Sequence, residues 1–158
     1  MADRNSIQLA EAILAHLMLG SEVIGIRFLG PQLLLSGSSD VRGEPFVNLE
    51  SRWTIFDRRP NHFPTSEAEL PDLDPITELK ILLQLREKVI EKIEILNPPH
   101  LVLTFDDDAV LFLNGISQKY ESWQAGQSFS DDDVWLVVAA PGGSLSIWAP
   151  EKFVDNAV

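Results

Sequence analysis

Pro31-Gln32-Leu33-Leu34-Leu35 returns as Pro99-His100-Leu101-Val102-Leu103, and this pair of stretches decides how the chain is read. Working outward, other echoes keep the same order. Upstream, Val23-Ile24 returns as Val89-Ile90; downstream, Glu50-Ser51-Arg52-Trp53 returns as Glu121-Ser122-Trp123, one residue shorter. The spacing between copies stays near ~70 residues, and self-similarity at this length points to two copies of one supersecondary unit sharing a core. Short loop insertions account for the drift. The repeat speaks to architecture and is silent on activity.

Each copy is expected to open with a helix. Ile7, Ala10, Leu14 and Leu17 recur at helical spacing, with Ile13 widening the stripe. Asn5 or Ser6 is the expected cap, and Gly20 the stop. In the second copy Asp74-Pro75 reads as a cap followed by proline at the first helical position. Ile76, Leu79, Leu82 and Leu83 form its apolar face, and the helix should end near Arg86 to Lys88.

After each helix the period changes to two. Ile24, Ile26 and Phe28 alternate with Val23, Gly25 and Arg27. Further strands are expected at 32–36, 46–49 and 51–56, then 89–95, 100–105, 109–114, 119–124, 134–139 and 144–148. Asp106-Asp107-Asp108 and Pro141-Gly142-Gly143-Ser144 read as hairpin turns. The fold class expected is α+β: two pseudo-repeats of helix plus antiparallel β-meander, forming packed sheets or a partly open barrel. The domain plan is one domain over 1–158, with pseudo-repeats at 1–57 and 75–150 joined by an extended, proline-containing linker at 58–74.

Composition narrows the function classes. A 158-residue chain that is 45% hydrophobic suits one globular domain able to bury roughly 70% of its unfolded surface. With no cysteine, disulfides, thiolate metal sites and cysteine nucleophiles are excluded. A net charge of −12 argues against a phosphate-tracking nucleic-acid surface and against an anionic membrane, and permits a basic protein partner. Segment 7–19 is interrupted by Gln8, Glu11 and His16, so neither a signal peptide nor a membrane span is expected, and a cytoplasmic location is the default.

The Glu/Ser/Trp segments admit two readings. Trp53 and Trp123 plug equivalent ends of the core, each indole N–H reaching a partner. Alternatively they stand on an open sheet face as contact anchors beside Arg52, Tyr120 and Glu121, the residue types that dominate protein interfaces. The one basic cluster, Arg58-Arg59-Pro60-Asn61-His62, could hold a carboxylate or phosphate, or simply pair with the nearby acids. Pro141-Gly142-Gly143 lacks the surroundings of a phosphate-binding loop. Asp106–Asp108 and Asp131–Asp133 read as exposed acidic turns, because from Asp106 the sixth and twelfth loop positions are Leu111 and Ser117 where a calcium loop needs Gly and Glu. The three histidines, His16, His62 and His100, have no ligand spacing, and no metal or cofactor is expected.

Three segments carry a resemblance: Ser51-Arg52-Trp53, Tyr120-Glu121-Ser122-Trp123, and Pro141-Gly142-Gly143-Ser144-Leu145-Ser146-Ile147-Trp148. In these the chain resembles an uncharacterised group of small bacterial proteins with duplicated halves. Some similar acidic domains look like immunity proteins that bind and block a toxin. The first copy lacks any equivalent of the Pro-Gly-Gly segment. The net charge, the absent catalytic motifs and the duplicated sheet favour a non-enzymatic binding protein, immunity-like in its wider form, that acts by occlusion through an acidic surface and exposed aromatics; a homodimer using the same aromatics is a further reading. The alternative is a small-ligand binder or hydrolase using a cleft between the copies, where Arg58, Arg59 and His62 fix an anion and Glu50 or Glu121 serves as base.

Overall fold

The computed structural model describes residues 2–28, 30–39, 41, 43–128 and 133–157. Among them, three helices and ten strands form two open antiparallel sheets, an α+β fold with neither sheet closed into a barrel. The helices are α1 (Arg4–Met18), α2 (Pro75–Leu82) and α3 (Glu151–Ala157). The strands are β1 (Val23–Arg27), β2 (Gln32–Leu35), β3 (Glu44–Leu49), β4 (Trp53–Phe56), β5 (Ile90–Ile95), β6 (Leu101–Phe105), β7 (Val110–Leu113), β8 (Trp123–Ser128), β9 (Trp135–Ala140) and β10 (Ser144–Trp148).

Local chemistry sets the helix ends. Asp3, not Asn5 or Ser6, caps α1: its carboxylate accepts from Ser6 N at 2.9 Å and from the Ser6 hydroxyl at 2.8 Å. Those hydrogen bonds hold the Asp3 carboxyl below its ordinary value. Asp74 caps α2 as expected, accepting from Ile76 N and Thr77 N with Pro75 at the first helical position. A 3-10 turn over Leu83–Leu85 then completes the helical stretch.

The sheet order is β1-β2-β3-β8-β9-β10 in one sheet and β4-β7-β6-β5 in the other. The two halves of the chain therefore do not keep to separate sheets. Each contributes a three-stranded meander and then sends its next strand across: β4 pairs with β7, and β8 pairs with β3. Beyond that shared order the halves differ. α1 buries five residues whereas α2 buries only Leu82, and β9, β10 and α3 have no counterpart in the first half. The two Val-Ile segments meet at one corner, where Glu22 bridges Val89, Val23 N donates to Lys88 O at 3.0 Å, and Glu87 N donates to Val23 O at 2.9 Å.

One core lies between the sheets. The face of α1 carrying Ala10, Ile13, Leu14, Leu17 and Met18 packs into it with Leu33, Leu35, Val47 and Leu49 from one sheet and Leu101, Leu103, Leu111 and Leu113 from the other. The expected linker, 58–74, packs against the fold. It docks on the outer face of the four-stranded sheet, where Leu70 and Phe63 cover Val102, Val110 and Phe112. β7 is consequently buried on both faces, which explains its unbroken apolar run Val110-Leu111-Phe112-Leu113. No helix of the described residues is long and apolar enough to cross a membrane.

Candidate functional site

The two Glu/Ser/Trp segments are the two crossovers that carry strands between sheets. Trp53 is the first residue of β4 and Trp123 the first of β8, so each tryptophan opens its strand rather than closing it. Both are in the core, at 2% and 0% exposure, and neither stands on an open face as a contact anchor. The indole N–H of Trp123 donates to Pro99 O at 2.8 Å, and Trp53 shares the wall of one depression with Glu78. The burial reading of these residues is the one their positions support: a large apolar ring is worth most inside, provided its N–H finds an acceptor.

The crossovers lie side by side. Ser51 Oγ donates to Asn114 O at 2.6 Å, and Asn114 N donates to Arg52 O at 3.0 Å. The Asn114 side-chain amide donates to Ile116 O at 2.9 Å and shapes the bend after β7. Gly115 lies so close to the chain that a Cβ there would stand 1.8 Å from Pro99 O, so only glycine permits this approach.

This arrangement brings Glu50 and Glu121, the acids of the two echoing segments, to the walls of one depression of about 610 Å3. Glu67, Lys119 and Tyr120 complete its chemistry. Two adjoining depressions share Glu50: one of about 500 Å3 with Tyr120, Glu121 and Gln124, and one of about 300 Å3 with Arg52, Asp72 and Glu78. Such volumes suit a side chain or small ligand. Tyr120 is 72% exposed, a large ring at the rim of an acidic hollow.

A row of amides across the six-stranded sheet positions Glu121. Gln32 donates to Asn48 at 2.6 Å, Asn48 donates to Gln124 at 3.2 Å, and Gln124 donates to the Glu121 carboxylate. The cross-strand register Gln32↔Asn48 and Asn48↔Gln124 sets these side chains next to one another. On the other wall Arg52 pairs with Asp72 at 3.3 Å. Burial raises the Glu78 carboxyl; the Trp53 indole opposes this while the Asp72 and Asp74 charges add to it.

The basic cluster lies elsewhere. Arg59 forms a two-pronged ion pair with Glu94 on β5, at 2.7 and 3.3 Å, and its guanidinium sits 4.9 Å from the centre of the Phe63 ring. Burial pushes the Glu94 carboxyl up, but hydrogen bonds from Arg59 and Lys92 outweigh it and hold the group below its ordinary value. Arg58 and His62 are exposed, and neither they nor Arg59 lines the depressions around Glu50. An anion site uniting Arg58, Arg59 and His62 with Glu50 or Glu121 is therefore not assembled.

Glu50 and Glu121 were both legible as candidates, whereas Glu67 and Lys119 were missed because only the strand exchange brings them together. Asp106–Asp108 form the β6–β7 turn and Pro141–Gly143 the β9–β10 turn, as their residue types demand. Asp131 and Asp132 lie outside the described residues. Among the described residues, no group of three or more histidines and carboxylates is placed to hold a metal ion. No protein-family model, curated protein or solved structure matches the chain.

Proposed function

We propose that this is a binding protein whose acidic hollow at the crossovers receives a basic side chain of a protein partner. The observation that carries the reading is the convergence of Glu50 and Glu121 on one depression with Glu67 and the exposed Tyr120. Three carboxylates face one ammonium there, so a guanidinium or ammonium entering the hollow meets net negative charge. Tyr120 supplies a rigid ring for the aliphatic stem or planar head of the incoming residue. The net charge of −12 would speed encounter with a basic surface. Occupation of the hollow would block whatever that basic group does in the partner. An immunity-like role against a toxin is the wider form of this reading and rests on the resemblance carried by Tyr120-Glu121-Ser122-Trp123 and residues 141–148.

The test is a calorimetric titration with an oligo-arginine peptide. The double variant Glu50→Gln/Glu121→Gln is compared with Asp106→Asn/Asp108→Asn, which also removes two negative charges but at an exposed turn. Expected is a loss of about tenfold or more for the first, roughly 1.4 kcal/mol, and a much smaller loss for the second. Equal losses would mean that diffuse charge alone attracts the peptide, and the hollow would have no special part.

A further inference from the structure

Residues 134–150 contain no charged side chain, and no other stretch of this chain runs so far without one. This stretch holds β9 and β10, and β10 is the outermost strand of the six-stranded sheet. Edge strands expose unpaired backbone donors and acceptors, and natural proteins blunt them with bulges, charges or covering contacts. β1, the opposite edge, has a bulge between Val23 and Gly25, an Arg27, and backbone bonds to residues 87 and 88. β5 has a bulge between Ile90 and Lys92, three charged residues, and Ile95 N bonded to Glu11 at 2.7 Å. β4 is only four residues long and runs directly into Asp57-Arg58-Arg59-Pro60. β10, Ser144-Leu145-Ser146-Ile147-Trp148, has no bulge and no charged residue and keeps unbroken register with β9, although Pro150-Glu151-Lys152 follow soon after its end.

We infer that β10 is a homodimer edge, pairing antiparallel with β10 of a second copy about a two-fold axis at Ser146. The strand is self-complementary in that register. Leu145 faces Ile147 of the other copy, extending the half-buried apolar row that both residues already add to the core. Ser144 faces Trp148, a small residue against a large one that is 48% exposed. Ser146 faces itself. Two chains of charge −12 repel at most contacts, and this edge lets them meet with no like charges opposed. A basic partner would find no carboxylate on the strand, which favours the second copy. A depression of about 510 Å3 at the same edge adds the apolar surface of Leu9, Val134, Ile147, Trp148 and Val154, with Asp133 and Glu151 also on its walls beyond the strand itself. This surface is separate from the acidic hollow, so the two proposals stand or fall independently.

The test is molar mass by light scattering coupled to size exclusion, with the chain at roughly 100 µM, for the natural protein, Ser146→Lys and Ser146→Asp. The two-fold places each new charge against its own copy, so each variant alone should run at 17.6 kDa, while the natural protein approaches twice that mass. An equimolar mixture of the two variants should recover the doubled mass, because Lys then faces Asp. Recovery also shows that both variants are folded. A natural protein that stays at 17.6 kDa, a dimer indifferent to both substitutions, or a mixture that fails to recover would each overturn the assignment.

Discussion

Trp123 shows how a single residue joins scaffold and site. Its ring is fully buried opposite Leu49, and its N–H ties the start of β8 to the Pro99 carbonyl. Trp123→Ala should destabilise the fold by about 3–5 kcal/mol, the range for truncating a buried aromatic. Chemical denaturation measures this, and a loss under ~1 kcal/mol would mean the ring is not held as described. His100 makes a second prediction. It is buried against Phe112, its Nδ1 accepts from Gly115 N at 2.9 Å, and burial lowers its pKa from 6.5. The proton of the neutral ring therefore sits on Nε2. In the unfolded chain the imidazole protonates near 6.5, whereas in the fold it resists. The unfolded state thus binds more protons as pH falls below that value, so this contribution to stability is complete above it and shrinks below it. Melting temperature followed from about pH 7.5 down to about pH 5.5 should fall more steeply for the natural protein than for His100→Asn. Parallel slopes would exclude His100 as the cause.

At the scale of elements, the short-range signals were the legible ones. The Asp74-Pro75 start of α2, the Asp106–Asp108 turn and the Pro141–Gly143 turn follow from what a few adjacent residues prefer. The failures have local causes too. The bulge between Val23 and Gly25 breaks the alternation of β1 and leaves Ile24 49% exposed, while Phe28, 74% exposed, falls in the turn beyond the strand. β8 starts at Trp123, four residues later than expected, because Lys119 to Ser122 still belong to the crossover. In the expected linker 58–74 the prolines forbid regular pairing but do not stop Phe63 and Leu70 from docking. Phe63 stacks on Phe112 with ring centres 5.4 Å apart and a 17° interplanar angle. Phe63→Ala should cost less than the ~3–5 kcal/mol of a full core truncation while loosening this strap selectively. Limited proteolysis reads that directly: cleavage within 57–74 should accelerate well before the sheets unfold, and unchanged cleavage would mean the strap is held by other contacts.

The whole molecule is organised by the exchange of β4 and β8, which no local pattern encodes. Periodicity finds strands, but partner choice depends on contacts far apart in sequence, and the echo of the two Glu/Ser/Trp segments was the one trace of it. The exchange stacks both crossovers together, buries both tryptophans beneath them, and leaves Glu50 and Glu121 above, flanking one hollow beside Tyr120. Function is proposed at this scale because its residues come from three separate segments: 50–51, 67 and 116–121. The direct measurement is a backbone-amide NMR titration with the oligo-arginine peptide. Saturable shifts should concentrate at residues 49–52, 67 and 116–124, and weaken in Glu50→Gln/Glu121→Gln. Shifts centred on the acidic turn 106–108, or spread evenly over the acidic surface, would contradict a specific basic-group site at the crossovers.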